Sequence, residues 1–258
     1  MLKKISALLM CMTLVFGATM TVHARWVSSY YAINKLIEYE ILDRDASEKW
    51  QNDDYITRRD AFKLSLKVCD SVVAFIQLDK ERYPPEAMKE NIDSFKEYYP
   101  DLVLDFSDVE YGSDDYQLLG ATMLVSLIVG DSRDGIHKAR FDDYLTHGEA
   151  VTLISRIPFM GIPYQLNDEV LRETYNSEYP AFDYLEDIRV INSSIPGYYG
   201  CLEIQKDDFD KPIRAHDFFL LLYRIMYAPT CVHGEYYADT TGTKIDAIFD
   251  YLKYKKYL

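Results

Sequence analysis

Basic residues are scarce in this chain: 28 Lys and Arg stand against 42 Asp and Glu, a formal charge of −14. A general nucleic-acid binder needs a basic surface for its phosphate contacts, so that class is excluded, and electrostatic docking on anionic membranes is disfavoured for the same reason. Glycine (11) and proline (9) are too few for a collagen-like or low-complexity chain. Cysteine is scarce as well. Cys11 falls in an apolar N-terminal segment, leaving Cys69, Cys201 and Cys231. Three thiols cannot all pair within one chain, and their spacing matches no zinc pattern. No phosphate-binding Gly-rich loop, H-E-x-x-H or G-x-S-x-G is present, so no cofactor or metal is called for. Asp131-Ser132-Arg133-Asp134-Gly135 has the outline of a calcium loop, but Arg133 stands at a ligand position and no EF-hand glutamate follows in register. His147-Gly148-Glu149 and His233-Gly234-Glu235 lack a recognisable third partner, and acids are too plentiful for any two to be singled out as a catalytic pair. The chain reads as a non-enzyme.

Hydrophobic residues are not lacking. At 48% of 258 residues they exclude wholesale disorder and suffice for one large core or several repeated units. The longest uncharged apolar run follows Lys3 and Lys4 and ends near Val22-His23-Ala24, with small or medium residues before a cut after Ala24. That anatomy predicts a signal peptide over residues 1–24 and hence an exported protein. Its removal takes two lysines and no acid, moving the formal charge from −14 to −16. No later run is long and apolar enough to predict membrane insertion of the mature chain.

Three segments share a pattern: Tyr55-Ile56-Thr57-Arg58-Arg59-Asp60, Tyr144-Leu145-Thr146-His147-Gly148-Glu149 and Pro212-Ile213-Arg214-Ala215-His216-Asp217. In the first two, a Thr is followed three residues later by an acid, directly before an apolar run, which is a capping-box signature. Helical spacing follows each: Ala61, Leu64, Ser65 and Val68; Ala150, Leu153, Ile154 and Ile157; Phe218, Leu221, Leu222 and Ile225. Motif helices are therefore predicted to start near Thr57, Thr146 and Arg214, their stripes facing a shared core.

A partner helix is expected upstream of each. Ala32, Ile33, Leu36, Ile37 and Ile41 form one stripe, and Leu118, Ala121, Val125 and Ile128 another. For the third unit, residues 195–202 offer a short helix after Ser194. Further helices are predicted over 86–98 and 168–175, and over 245–258 in a Tyr- and Lys-rich tail. The predicted organisation is a leader (1–24), a first unit (25–70), a charged insertion (71–103), a second unit (104–160), a linker (161–183), a third, degenerate unit (184–227) and a tail (228–258).

The second unit reads Phe106-Ser107-Asp108-Val109, then Leu127-Ile128-Val129-Gly130-Asp131, then Leu145-Thr146 to Glu149-Ala150. It resembles an S-layer homology repeat, whose pattern runs from F-x-D-V through G-I-V-x-G to an I-T-R-A-E helix start. The first unit is similar from Trp26 through Ile56-Thr57-Arg58-Arg59-Asp60, and the third keeps Phe209, Ile213 and Asp217. The resemblance implies an all-α fold of three helix–loop–helix repeats in a pseudo-threefold bundle. It also implies secretion to the cell wall or cell surface, where such repeats bind cell-wall polysaccharide, in some cases through acidic ketal groups. The ligand-contacting Arg of the family falls on Arg58, flanked by Thr57 and Arg59. His147 and Ala215 replace it in the other units, so the grip is expected in the first unit alone. Trp26 and Trp50 are candidates to stack on a sugar face, and Gly130 and His147 complete the implied contacts. The rival expectation is a diverged scaffold that has lost sugar binding and meets other surface proteins through Tyr-rich acidic faces. An open groove with an aromatic floor at Arg58 would favour sugar; a salt-bridged Arg58 in a filled groove would favour the scaffold.

Overall fold

The structure is a computed structural model that describes residues 29–51, 53–68, 81, 83–98, 106–125, 127, 138–157, 164–187, 190–191, 204–227, 231–232 and 235–236. The predicted leader, Trp26, Gly130, the proposed helix over 195–202 and the tail helix over 245–258 lie outside the described residues. Among the described residues the fold is helical. In chain order the helices are α1 (Ser29–Glu38), α2 (Ala46–Lys49), α3 (Arg58–Val68), α4 (Pro85–Tyr98), α5 (Asp114–Leu124), α6 (His147–Arg156), α7 (Tyr164–Tyr175), α8 (Pro180–Asp187) and α9 (Ala215–Tyr227). A two-residue antiparallel pairing of Cys231–Val232 with Glu235–Tyr236 follows α9.

The three motif helices α3, α6 and α9 begin one residue after Thr57, Thr146 and Arg214. Thr146 completes both halves of its capping box: its hydroxyl accepts from the Glu149 N–H at 3.2 Å, and Glu149 Oε2 accepts from the Thr146 N–H at 3.0 Å. Thr57 accepts from the Asp60 N–H at 3.2 Å, while its hydroxyl donates to the Asp60 carboxylate at 3.0 Å. The third start has Arg214 in place of the Thr, so no side chain of that kind caps α9. All twelve residues of the three predicted stripes are buried, none more than 8% exposed. Their burial is the main stabilising term of the fold, at about 1.5–3 kcal/mol for each large side chain.

The loops before these helices close into a ring. Leu145 N–H donates to the Ile56 carbonyl at 2.9 Å, Ile213 N–H to the Leu145 carbonyl at 2.9 Å, and Ile56 N–H to the Ile213 carbonyl at 3.3 Å. Isolated bridges pair Tyr55 with Arg214, Thr57 with Tyr144, and Thr146 with Pro212 in the same cyclic order. The side chains at the centre, Ile56, Leu145 and Ile213, are at most 1% exposed. Each motif helix also has early N–H groups satisfied by the next loop of the cycle: Arg58 by the Asp143 carbonyl, His147 by that of Lys211, and Ala215 by that of Asp54. Orphan helix donors are thus met by neighbouring main chain rather than by water.

Upstream helices are present, but their pairing differs from the hairpins expected. Among the motif helices, α1 packs on α9, α5 on α3, and α8 on α6, while α5 also lies against α4 and α8 against α7. Each upstream helix therefore lies against the motif helix of the preceding unit, with α1 closing the cycle onto α9. The tie within a unit is polar. Lys67, Arg156 and Arg224, each ten residues after the cap position, donate to the carbonyls of Ile41, Leu127 and Val190 at 3.0, 3.3 and 3.0 Å. Those carbonyls follow α1, α5 and α8 respectively. The upstream helix of the third unit is accordingly Pro180–Asp187, which crosses the boundary expected at 183/184. α4 fills the predicted 86–98 segment and packs on α5, where Gly120 lets it approach: a Cβ there would overlap the Met88 side chain.

Candidate functional site

Arg58 is not at an open groove. It is 5% exposed, its Nη1 lies 2.6 Å from Glu149 Oε1, and its Nε donates to the Ala139 carbonyl at 2.8 Å. The guanidinium also sits 5.6 Å from the Phe62 ring centre. This corrects the expectation of a free anion grip at the first motif. A cation beside a helix start has the chemistry of an anion contact; here the acid at the start of the next motif helix takes it. Arg140 Nη1 approaches the same Glu149 oxygen at 3.6 Å. Arg59 is held by Asp115, at 2.5 and 3.1 Å, and by Asp142 at 2.7 Å.

The other expected contacts are scattered. Thr57 is occupied by its cap. Trp50 is half-buried, edge-on to Phe219 at 5.9 Å with Lys49 Nζ 5.2 Å over its ring, so it packs at the core margin. His147 lies at the next loop, its Nδ1 3.0 Å from the Lys211 carbonyl oxygen. That oxygen can only accept, so this nitrogen carries the proton. By cyclic position His147 corresponds to Arg58, and Asp217 to Glu149. Burial pushes the Asp217 carboxyl above its ordinary value of 3.8, against the opposing pull of Arg214, His147 and His216.

A cleft of about 410 Å³ opens instead beside the second motif helix. Its walls are the first turns of α6, the Asp168, Leu171 and Arg172 side of α7, the start of α8 and the Phe209-Asp210 turn. Phe182 is buried there, and Tyr179 and Phe209 are half-buried, their rings 5.1 Å apart edge to face. Gly148 allows this wall to form: its N–H donates to the Phe209 carbonyl at 3.0 Å, and a Cβ would lie 3.2 Å from the Phe209 ring. Lys206 caps the aromatic group, with Nζ 5.3 Å from the Tyr179 ring centre and 5.0 Å from that of Phe182.

The polar lining is mixed. Asp168 is paired with buried Arg156 at 3.1 Å, and Glu149 with Arg58. Arg172 is exposed on the rim and has no ion-pair partner among the described residues. Rings that match the C–H face of a pyranose, hydroxyls and carboxylates that match its OH groups, and one uncommitted guanidinium make the cleft chemically suited to a saccharide. Among the described residues, Thr57, Arg58, Arg59, Trp50 and His147 do not line it, although Thr146, Gly148 and Glu149 flank His147. The sequence signal nearest to it is Phe209, which the third unit shares with the repeat pattern. Among the described residues no group of three or more His, Cys, Asp or Glu is placed to hold a metal ion, and no helix is long and apolar enough to cross a membrane.

The chain matches no protein-family description, no curated protein and no solved structure.

Proposed function

We propose that this is a non-catalytic protein of the bacterial cell envelope, built on the S-layer homology plan, that holds cell-wall polysaccharide in the cleft beside α6. The plan is supported by the cyclic hydrogen bonding of the Ile56, Leu145 and Ile213 main chains and by the three equivalent cation ties at Lys67, Arg156 and Arg224. The observation that carries the ligand assignment is the aromatic-floored cleft at Gly148, Tyr179 and Phe209, with Arg172 on its rim. The grip is thus displaced from the first motif to the junction of the second and third. The test is retention of the purified protein on wall polymer. Tyr179→Ala and Arg172→Ala should each weaken retention, by roughly 5- to 30-fold for the lost ring and 10-fold or more for a charge-assisted contact. Full retention of both variants removes the cleft from the mechanism.

A second reading is favoured by the internal ion pair of Arg58: a scaffold that has lost sugar binding and contacts other surface proteins. Absence of polymer binding by the unmodified chain would select it.

A further inference from the structure

The closed main-chain ring carries a feature that the cleft does not use. Of three Asp-Asp-Tyr tripeptides in the chain, two stand at equivalent places in the motif loops, Asp53-Asp54-Tyr55 and Asp142-Asp143-Tyr144, and the third, Asp114-Asp115-Tyr116, opens α5. The ring of hydrogen bonds brings the two copies together: the Tyr55 and Tyr144 rings lie 5.6 Å apart at 55° to one another. Both remain open to solvent, 41% and 54% exposed, and are among only five large hydrophobic side chains exposed in the described residues. The third loop places exposed Pro212 at the equivalent position. Beneath the pair are the buried Ile56, Leu145 and Ile213, so the platform rests on a fixed base.

The charge around it is net acidic, four aspartates against Arg59, Arg140 and Arg214. All four aspartates are exposed, with Asp53 and Asp142 side chains 88% and 91% open. Their ion pairs, Asp53 to Arg214 at 3.3 Å, Asp142 to Arg59 at 2.7 Å and Asp143 to Arg140 at 2.7 Å, are solvent-exposed on the acidic side and individually weak, so another cation can exchange into them. Two aromatic faces amid carboxylates suit an amphipathic cation, whose methylenes lie on the rings while its charge meets both the ring faces and the acids. The carboxylates repel anionic polymers, and a second copy of this chain would bring its own acids against them.

From these observations we infer that the Tyr55–Tyr144 platform is an interaction surface for a lysine- or arginine-rich polypeptide segment of a partner protein. This inference goes beyond the polysaccharide reading and does not rest on the cleft. The experiment uses the full chain and a fluorescently labelled lysine oligomer, followed by anisotropy at low and moderate salt. The unmodified chain should bind, more weakly as salt rises. The double variant Tyr55→Ala/Tyr144→Ala should lose roughly 5- to 30-fold in affinity, the sum of two cation–π contacts, whereas Tyr55→Phe/Tyr144→Phe should stay within about threefold because the ring faces persist. The control Tyr30→Ala/Tyr111→Ala removes exposed tyrosines elsewhere and should leave binding unchanged. Should the double alanine variant fail to fold by circular dichroism, Asp53→Asn/Asp142→Asn decides by a flattened salt dependence. No binding by the unmodified chain overturns the inference. So does equal binding by the folded platform variant and the control, which would reduce the effect to net charge.

Discussion

Replacing Arg58 by alanine separates a ligand contact from an internal strut. The side chain is 5% exposed and makes an ion pair with Glu149 at 2.6 Å, a hydrogen bond to the Ala139 carbonyl at 2.8 Å and a contact with the Phe62 ring. Removing one partner of a fully buried pair costs about 3–5 kcal/mol, because the other charge is left desolvated. Glu149 keeps 26% side-chain exposure and has Arg140 at 3.6 Å, which lowers the expected loss to about 2–4 kcal/mol. For a chain of this size that corresponds to a fall in melting temperature of roughly 4–16 °C. Arg59→Ala is the internal comparison. Its head group is 28% exposed; Asp142 is 91% exposed, while Asp115, gripped through both nitrogens, is 26% exposed, so its loss should cost about 0.5–1.5 kcal/mol. Urea titrations followed by circular dichroism would give both values, and polymer retention at a temperature where both variants are folded would give the binding arm. Arg58→Ala should be much the less stable of the two yet retain polymer like the unmodified chain. An Arg58→Ala protein of unchanged stability that no longer bound polymer would refute the structural role and restore Arg58 to a ligand site.

Other consequences are equally direct. Asp217 has its carboxyl raised above 3.8 by burial, so its ionised form opposes folding: the stability it contributes is complete below its unfolded value and lost as pH rises through the raised one. Asp217→Asn should therefore stabilise the protein at pH 7 and lose that advantage when denaturation is repeated near pH 3. Thr146→Ala removes one half of the capping box and should cost about 1 kcal/mol, while Thr146→Ser should cost little. Gly120→Ala forces the α4–α5 contact apart at Met88 and should cost about 1–3 kcal/mol; the same substitution in a Met88→Ala background should be nearly neutral, as a double-mutant cycle would show.

The residues alone determined where helices start and which faces they bury, because both depend on neighbours within a few positions. Thr146 and Glu149 cap α6 through contacts three residues apart, and period 3.6 placed Ala61, Leu64, Ser65 and Val68 inward before any partner was known. The helix over Pro85–Tyr98 was legible for the same reason. Tertiary structure decided the pairing. A periodic stripe says that a face is buried, not against which of three similar stripes it lies, so the exchange that sets α1 on α9 and α5 on α3 left no local trace. The third unit shows the cost of that gap: its upstream helix is Pro180–Asp187, tied by Arg224 to the Val190 carbonyl, a contact between side chain and distant main chain. The ring joining Ile56, Leu145 and Ile213 is likewise made of main-chain atoms, which every residue but proline supplies alike. The same closure decided the fate of Arg58. At a helix start it has the chemistry to hold an anion, and the cycle delivers one from the protein itself, the Glu149 carboxylate of the next motif.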